Sequence, residues 1–436
     1  MTSVAGILRS HHARSLLSGA TWSVLGQMSL ALAQWGIVVA LARTATPAAV
    51  GEFALGMALT APLFGFSNMC LAQLQATDVH GEHSFGAYAG VRLLTTVAAL
   101  LILPLLLAAS SSTPQELAVA VVFGFARAAD GASDVCYGLM QRHGRFRTIG
   151  QSMLLRSAIC GMAAMVALQV TNTGLGAAVG LALAWSACAL LFDLPKAKQL
   201  LQQLGRLAEW RMRFGWPFIA GIVRDGVPLS LVMGLNMAAM NIPRYWVARQ
   251  LGHEQLGYFA AIAYLMIAAN MVIAAGSQAV VPRLAEDYVK TPRRYCRLVL
   301  YMVAAAVLAG VLCVGIALTA GQQIMAMIYT ARYAQFQSTL VWTMAGTAVL
   351  ILVSVTGVAM TAARRFGVQV WNSAAAAIST ALACVVLIGP YGLDGAAIAV
   401  LIGLVVKLLG QCFVLATLLP EAWTRRTMVA AESTGP

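Results

Sequence analysis

The sequence predicts an all-α polytopic membrane protein, with about 12 transmembrane helices in two parallel six-helix bundles around a central cavity. Three observations predict it: the composition, a succession of long apolar runs, and a repeat at an offset of 206 residues. Of the 436 residues, 60% are apolar and 10% are charged, against about 25% charged in soluble domains. The mean hydropathy is +0.80. So much apolar surface cannot be hidden in one aqueous core, which excludes an ordinary soluble enzyme, a disordered chain and a disulfide-stapled secreted domain. Lipid is the main solvent.

The elements follow in order. Crossing the hydrocarbon takes about 20 mostly apolar residues. Twelve stretches qualify, near 18–42, 50–73, 88–109, 115–140, 148–170, 174–192, 216–242, 254–280, 298–320, 336–361, 367–388 and 393–419. Polar punctuation separates them at Ser110-Ser111-Ser112-Thr113-Pro114, Thr171-Asn172-Thr173-Gly174 and Gly389-Pro390-Tyr391-Gly392. Each run is too long for a barrel strand and lacks strict alternation, so each is a helix. The first, preceded by Arg9 and Arg14, reads as an uncleaved span, because its apolar run exceeds a signal-peptide core and eleven more follow.

The basic residues set the orientation. With the N-terminus inside, the inner segments hold 19 Lys and Arg, and the outer segments hold four: Arg43, Arg244, Arg249 and Arg332. Both termini are therefore expected on the cytoplasmic side of the membrane. The net charge of +13 is explained by insertion and by anionic lipid heads, and not by nucleic acid. The expected domains are an N-terminal bundle over 1–193, a basic cytoplasmic linker with a surface helix over 194–215, and a C-terminal bundle over 216–436. No extramembrane segment is long enough for a catalytic domain.

The repeat lies at corresponding helix ends. Ala42, Arg43, Gly51, Phe53, Ala54 and Leu59 recur as Ala248, Arg249, Gly257, Phe259, Ala260 and Leu265. Six crossings per repeat give two like-oriented halves, an architecture of transporters. The Arg, the Pro or Gly turn and the Gly-x-Phe after span one resemble the multidrug/oligosaccharidyl-lipid/polysaccharide exporter superfamily. Gly226-Val227-Pro228-Leu229-Ser230, Asn241-Ile242-Pro243-Arg244-Tyr245 and Leu256-Gly257-Tyr258-Phe259-Ala260 are similar to span seven of its polysaccharide branch, which includes Wzx-type O-antigen flippases. Many members carry an acid directly before the span-seven Arg. Pro243 stands there in this chain, so no role of that acid carries over.

Ionisable groups at hydrocarbon depth cost at least about 2.5–3.5 kcal/mol each on insertion scales and ask for an explanation. The bases are Arg92, Arg127, Arg156, Arg224 and Lys407; the acids are Asp130, Asp134 and Asp225. Arg127, Asp130 and Asp134 share one face of span four. Either Arg127 and Asp130 form a structural pair, or Arg127 meets an anionic head group while the aspartates orient it or titrate in ion coupling. Lys407, with no acid within a turn, is expected to face the cavity. Arg224 and Asp225 point about 100° apart on an ideal helix. Arg156 is within snorkelling reach of a helix end, and Arg92 is expected to anchor at the interface. Substrate contacts are expected from Arg127, Lys407, Arg224 and Arg156, with orienting or ion-coupling roles for Asp130, Asp134 and Asp225. Gln27, Gln34, Asn236 and Asn241, with Trp22, Trp35, Trp246 and Trp371, are weaker candidates for sugar contacts.

The eight cysteines sit mostly in apolar runs without a C-x-x-C, and the histidines, including His11-His12, His80 and His83, are scattered. Neither set reads as a metal site. No P-loop and no cofactor motif occurs. A surplus of basic groups suits an anion, and Arg forks onto phosphate oxygens. Together with the resemblance, this implies a non-enzymatic flippase. It would carry an undecaprenyl-pyrophosphate-linked oligosaccharide, an O-antigen or exopolysaccharide repeat unit, by alternating access. Its partners would be that substrate, membrane lipids and other polysaccharide-assembly proteins. The rivals are a cation-coupled multidrug exporter of the same superfamily, which wants a negative cavity, and a membrane-embedded polymerase or ligase, which usually carries a large outer loop. A twelve-span facilitator would want a basic loop after span two, and residues 74–87 contain no Lys or Arg.

Overall fold

The computed structural model describes residues 3–78, 81–109, 113–362 and 367–432. The chain runs α1 (Ser3–Thr44), α2 (Pro47–Ser67), α3 (Leu71–Thr77), α4 (Phe85–Ala109), α5 (Pro114–Arg142), α6 (Phe146–Thr171), α7 (Gly174–Cys188), a π-helical turn (Ala189–Asp193) and α8 (Leu194–Gln203). It continues with α9 (Trp216–Leu251), α10 (His253–Lys290), α11 (Pro292–Ile328), α12 (Ala331–Ala334), α13 (Gln337–Ala362) and α14 (Gly367–Glu432). No strand occurs among the described residues. Several helices start where local chemistry supplies a cap. The hydroxyls of Thr46 and Thr173 accept from the backbone N–H of Ala49 (3.3 Å) and Gly176 (3.1 Å). Thr113 and Glu116 form a reciprocal capping box with Pro114 in the first turn.

The protein is an all-helical, multi-pass membrane protein. Nine helices among the described residues are long and apolar enough to cross a bilayer. The difference from twelve has physical causes. Helix α5 carries Arg127, Asp130 and Asp134 and falls short on polarity. The stretch Val368–Thr417 holds two spans, because Gly392 at φ 57°, ψ −130° breaks α14 within the expected Gly389–Gly392 turn. In α10 the side chains of 271–279 are not described, and the Arg364-Arg365 and Ser110–Ser112 connections lie outside the described residues.

The chain divides into two compact units, Met1–Met237 and Ala238–Pro436. In the first, α5 is the central helix, flanked by α2, α3, α4 and α7. Helix α2 breaks at Met69 and Cys70, both at positive φ, and α3 resumes at an angle against α5. The core there is built from Tyr88, Val91, Val135, Tyr137, Met140, Leu200 and their neighbours. Helix α8 belongs to it: Ala197, Leu200 and Leu201 are buried while Lys196, Lys198 and Gln199 are exposed. The rest of the linker lies along α4. Trp210 stacks on Phe85 at 5.5 Å, Glu209 accepts from the Phe85 N–H (3.3 Å), and the Arg213 N–H donates to the Gly86 carbonyl (2.9 Å). A Cβ at Gly86 would stand 2.0 Å from the Arg211 carbonyl oxygen, so only glycine admits this approach. On α4, Leu101 and Leu105 are each about two-thirds exposed, as a lipid-facing stripe requires.

The second unit packs α13 against α10, α11 and α14. Its interior polar groups are mostly hydroxyls and amides. Thr356 donates to the Gln411 Oε1 (2.7 Å), Ser354 to the Asn270 Oδ1 (3.0 Å) and Thr339 to the Asp394 Oδ1 (2.5 Å). Thr343 and Thr347 donate to carbonyls one turn back on α13. Tyr258, Tyr329, Tyr333 and Phe336 form an aromatic cluster. Leu300, Leu308, Val311 and Leu312 line the exposed face of α11.

Candidate functional site

The deep charges of the first unit converge on α5. Arg156 on α6 is 1% exposed. Its Nη1 donates to the Asp130 Oδ1 (2.5 Å) and its Nη2 to the Ser133 Oγ (2.6 Å). Asp193, fully buried in the π-helical turn, lies 4.0 Å from the same Nη2. Asp193 accepts from Ser152 (2.5 Å) and Tyr137 (3.5 Å). A second pair lies one helical turn along α5. Arg92 on α4 bonds to Asp134 (2.5 Å) and also to the Asn68 side chain at the α2 break. Through Arg92, the Asp134 carboxylate of α5 is tied to α4 and to the break after α2.

These contacts decide between the alternatives left open above. Asp130 pairs with Arg156, and not with Arg127. Sharing a face of α5 makes the two neighbours, but the arginine of the adjacent helix reaches the carboxylate end-on. Arg127 is partly buried and makes no ion pair or hydrogen bond among the described residues; its Nε is buried without a partner. Its guanidinium instead lies over the ring of Trp185 on α7, 5.8 Å from the centroid. Arg156 lies 5.3 Å from the same ring, so one buried indole is shared by two guanidinium groups. Arg92, expected at the interface, is buried at 6% exposure, because Asp134 offers it a partner inside the unit.

The remaining expected residues fall elsewhere. Arg224 and Asp225 do not diverge but touch each other, Nε to Oδ1 at 3.3 Å, with side chains 83% and 54% exposed. Asp225 also borders a cavity of about 200 Å³ with Asp78, Glu82, His83 and Tyr88. Burial acts to raise the Asp78 pKa, but the N–H groups of His83, Glu82 and Gly81 and the nearby Arg142 outweigh it, so the carboxyl titrates below its usual range. Lys407 belongs to the second unit, on α14 after Gly392, where its carbonyl accepts from the Asn372 amide (2.9 Å).

Sequence reasoning missed Trp185, Asp193, Asn68, Ser133, Tyr137 and Ser152. A signal was available for some: Asp130, Ser133 and Tyr137 recur at i, i+3, i+7 on α5, and Ser152 precedes Arg156 by four on α6. Asp193 was read as the edge of the linker, and Arg244 as an outer-loop residue; both are buried. One adds a deep acid and the other a deep base, so the surplus of two positive charges is unchanged.

The model of the polysaccharide biosynthesis protein family matches residues 16–288, well over half of the chain. The chain belongs to that family. It is 20% identical over 315 residues to the capsular polysaccharide biosynthesis protein CapF of Staphylococcus aureus, covering 71% of this chain and 76% of that one. Among solved structures it is similar to the lipid II flippase MurJ in an inward closed conformation, with a TM-score of 0.70 at 11% identity, covering 95% and 93% of the two chains. It is also similar to an inward-facing multidrug resistance MATE transporter of the MOP superfamily, with a TM-score of 0.68 at 16% identity over 94% and 96%. This member of the polysaccharide biosynthesis family therefore has the fold seen in those transporters.

Proposed function

We propose that this protein flips an undecaprenyl-pyrophosphate-linked oligosaccharide from the cytoplasmic to the periplasmic leaflet of a bacterial inner membrane, with both termini cytoplasmic and no bond made or broken. Family membership and the likeness to a protein named as a lipid II flippase support a lipid-linked substrate. The observation that carries the reading is Arg127. It is a deep guanidinium left without a carboxylate while Arg92 and Arg156 take Asp134 and Asp130. Such a group is short of a counter-charge, and a pyrophosphate supplies one with matching fork geometry. In this reading Trp185 holds the Arg127 plane, and Asp130 and Asp134 orient α5 through their arginines. A cationic drug would meet repulsion at Arg127.

The test is Arg127→Gln in cells that depend on this protein for surface glycan. Surface glycan is expected to fall by about tenfold or more, with lipid-linked oligosaccharide accumulating and the protein present at its normal level. Arg127→Lys keeps the charge but not the fork and falls between. Normal glycan in Arg127→Gln would reject the reading.

A further inference from the structure

A second arginine is buried without a counter-charge, in the other unit. Arg244 on α9 is 8% exposed. Its Nη1 donates to the Asn241 Oδ1 one turn back (3.0 Å), and its guanidinium lies over the Tyr264 ring of α10 at 5.7 Å. Its Nε is buried without a partner, and no carboxylate among the described residues forms an ion pair with it. A buried cation held only by an amide and an aromatic face is costly, because neither neutralises it.

The internal repeat shows that the fold does not need this charge. At the offset of 206 residues, Arg244 corresponds to Val38 of α1, Asn241 to Trp35 and Tyr264 to Ala58. Val38 is fully buried and Ala58 is 5% exposed. The first unit therefore fills the equivalent core position with hydrocarbon. In the second unit the amide, the guanidinium and the ring occur together, which is the set that binds and aims an arginine fork. The position is seven residues before the end of α9, or about 10 Å along the helix.

The geometry points to Arg244 as an oxyanion-binding group that takes a phosphate or pyrophosphate, oriented by Asn241 and Tyr264. It deepens the flippase reading by adding a phosphate contact in the second unit, and it rests on that reading only for the natural ligand. That phosphate belongs either to a lipid headgroup or to a pyrophosphate-linked carrier. Four N–H donors of Arg244 remain for it once Asn241 and Tyr264 have fixed the plane.

The experiment uses the full chain carrying Arg127→Gln, so that failure of the Arg127 reading leaves the result intact. The protein is placed in phosphatidylcholine nanodiscs, and the rise in Tm is measured on adding inorganic pyrophosphate, or on replacing part of the lipid with phosphatidylglycerol. Arg244→Val, the residue of the first repeat, is expected to abolish the rise in at least one arm and to weaken binding in that arm about tenfold or more. Loss with pyrophosphate assigns the carrier-type ligand, and loss with phosphatidylglycerol assigns the headgroup. An equal rise in parent and Arg244→Val in both arms overturns the proposal, as does absence of any rise in the parent. If Arg244→Val does not fold, Arg244→Lys decides: a rise weaker than the parent's supports the site, and a rise equal to it, or no folded protein again, assigns Arg244 a purely structural role.

Discussion

The two units solve the same problem differently. Both bury polar groups at membrane depth, but the first does so with charges and the second mainly with neutral groups. In the first, two arginine–aspartate pairs link α4, α5 and α6. In the second, threonines bond to carbonyls of their own helix or to amides across a helix seam. The difference teaches where specificity resides. A hydroxyl that satisfies itself one turn back tolerates many neighbours, whereas a buried guanidinium demands a particular partner in a particular place. The first unit is the more tightly specified, and the unpaired Arg127 stands out against it. Arg244 is a buried charge in the second unit that forms no ion pair among the described residues.

The largest effect is expected from breaking a charge pair. Arg156→Met leaves Asp130 and Asp193 without their arginine and should lower stability by about 3–5 kcal/mol, measured by thermal or denaturant unfolding in detergent. Adding Asp130→Asn to it should cost less than the sum of the single changes, because the two groups are coupled; additive losses would show that the pair is not a unit. A smaller effect is expected in the second unit. Thr356→Val removes one hydrogen bond to Gln411 and should cost about 1 kcal/mol. A loss as large as that of Arg156→Met would erase the contrast between the units.

The smallest effect concerns acid. The folded-state pKa of Asp78 is lowered, so its contribution is present above the unfolded carboxylate value of about 3.9 and is lost as the pH falls through the lower folded value. Acidification below about pH 4 should loosen the α3–α4 connection of the first unit before it touches α13. Hydrogen exchange at Gly81, Glu82 and His83, compared with Asp78→Asn at neutral pH, checks this. An unchanged acid response in Asp78→Asn would assign the loosening to other carboxylates.

Much of this was legible in the chain itself. Apolar runs of about 20 residues can only be spans, and threonines before Pro47, Pro114 and Gly174 mark helix starts through local chemistry. The repeat predicts two like halves, because identical residues recur at one offset. The face shared by Arg127, Asp130 and Asp134 also followed from helical spacing alone. Spacing was silent on which neighbouring helix would meet that face. Arg156, 26 residues away from Asp130, pairs with it where Arg127 does not, and Arg92 pairs with Asp134.

The sequence by itself determined the solvent and the helices, since these depend on composition, periodicity and local capping, and its short motifs carried the family resemblance. Only the tertiary structure decided which deep charges are paired and which are not. Charge pairing is a contest among side chains brought together from α4, α5, α6 and the π-helical turn, and its outcome depends on distances that no stretch of sequence contains. For the same reason Trp185 and Asp193 acquired their places beside Arg156, and Arg127 and Arg244 remained as the arginines without a carboxylate that the function proposed here would use.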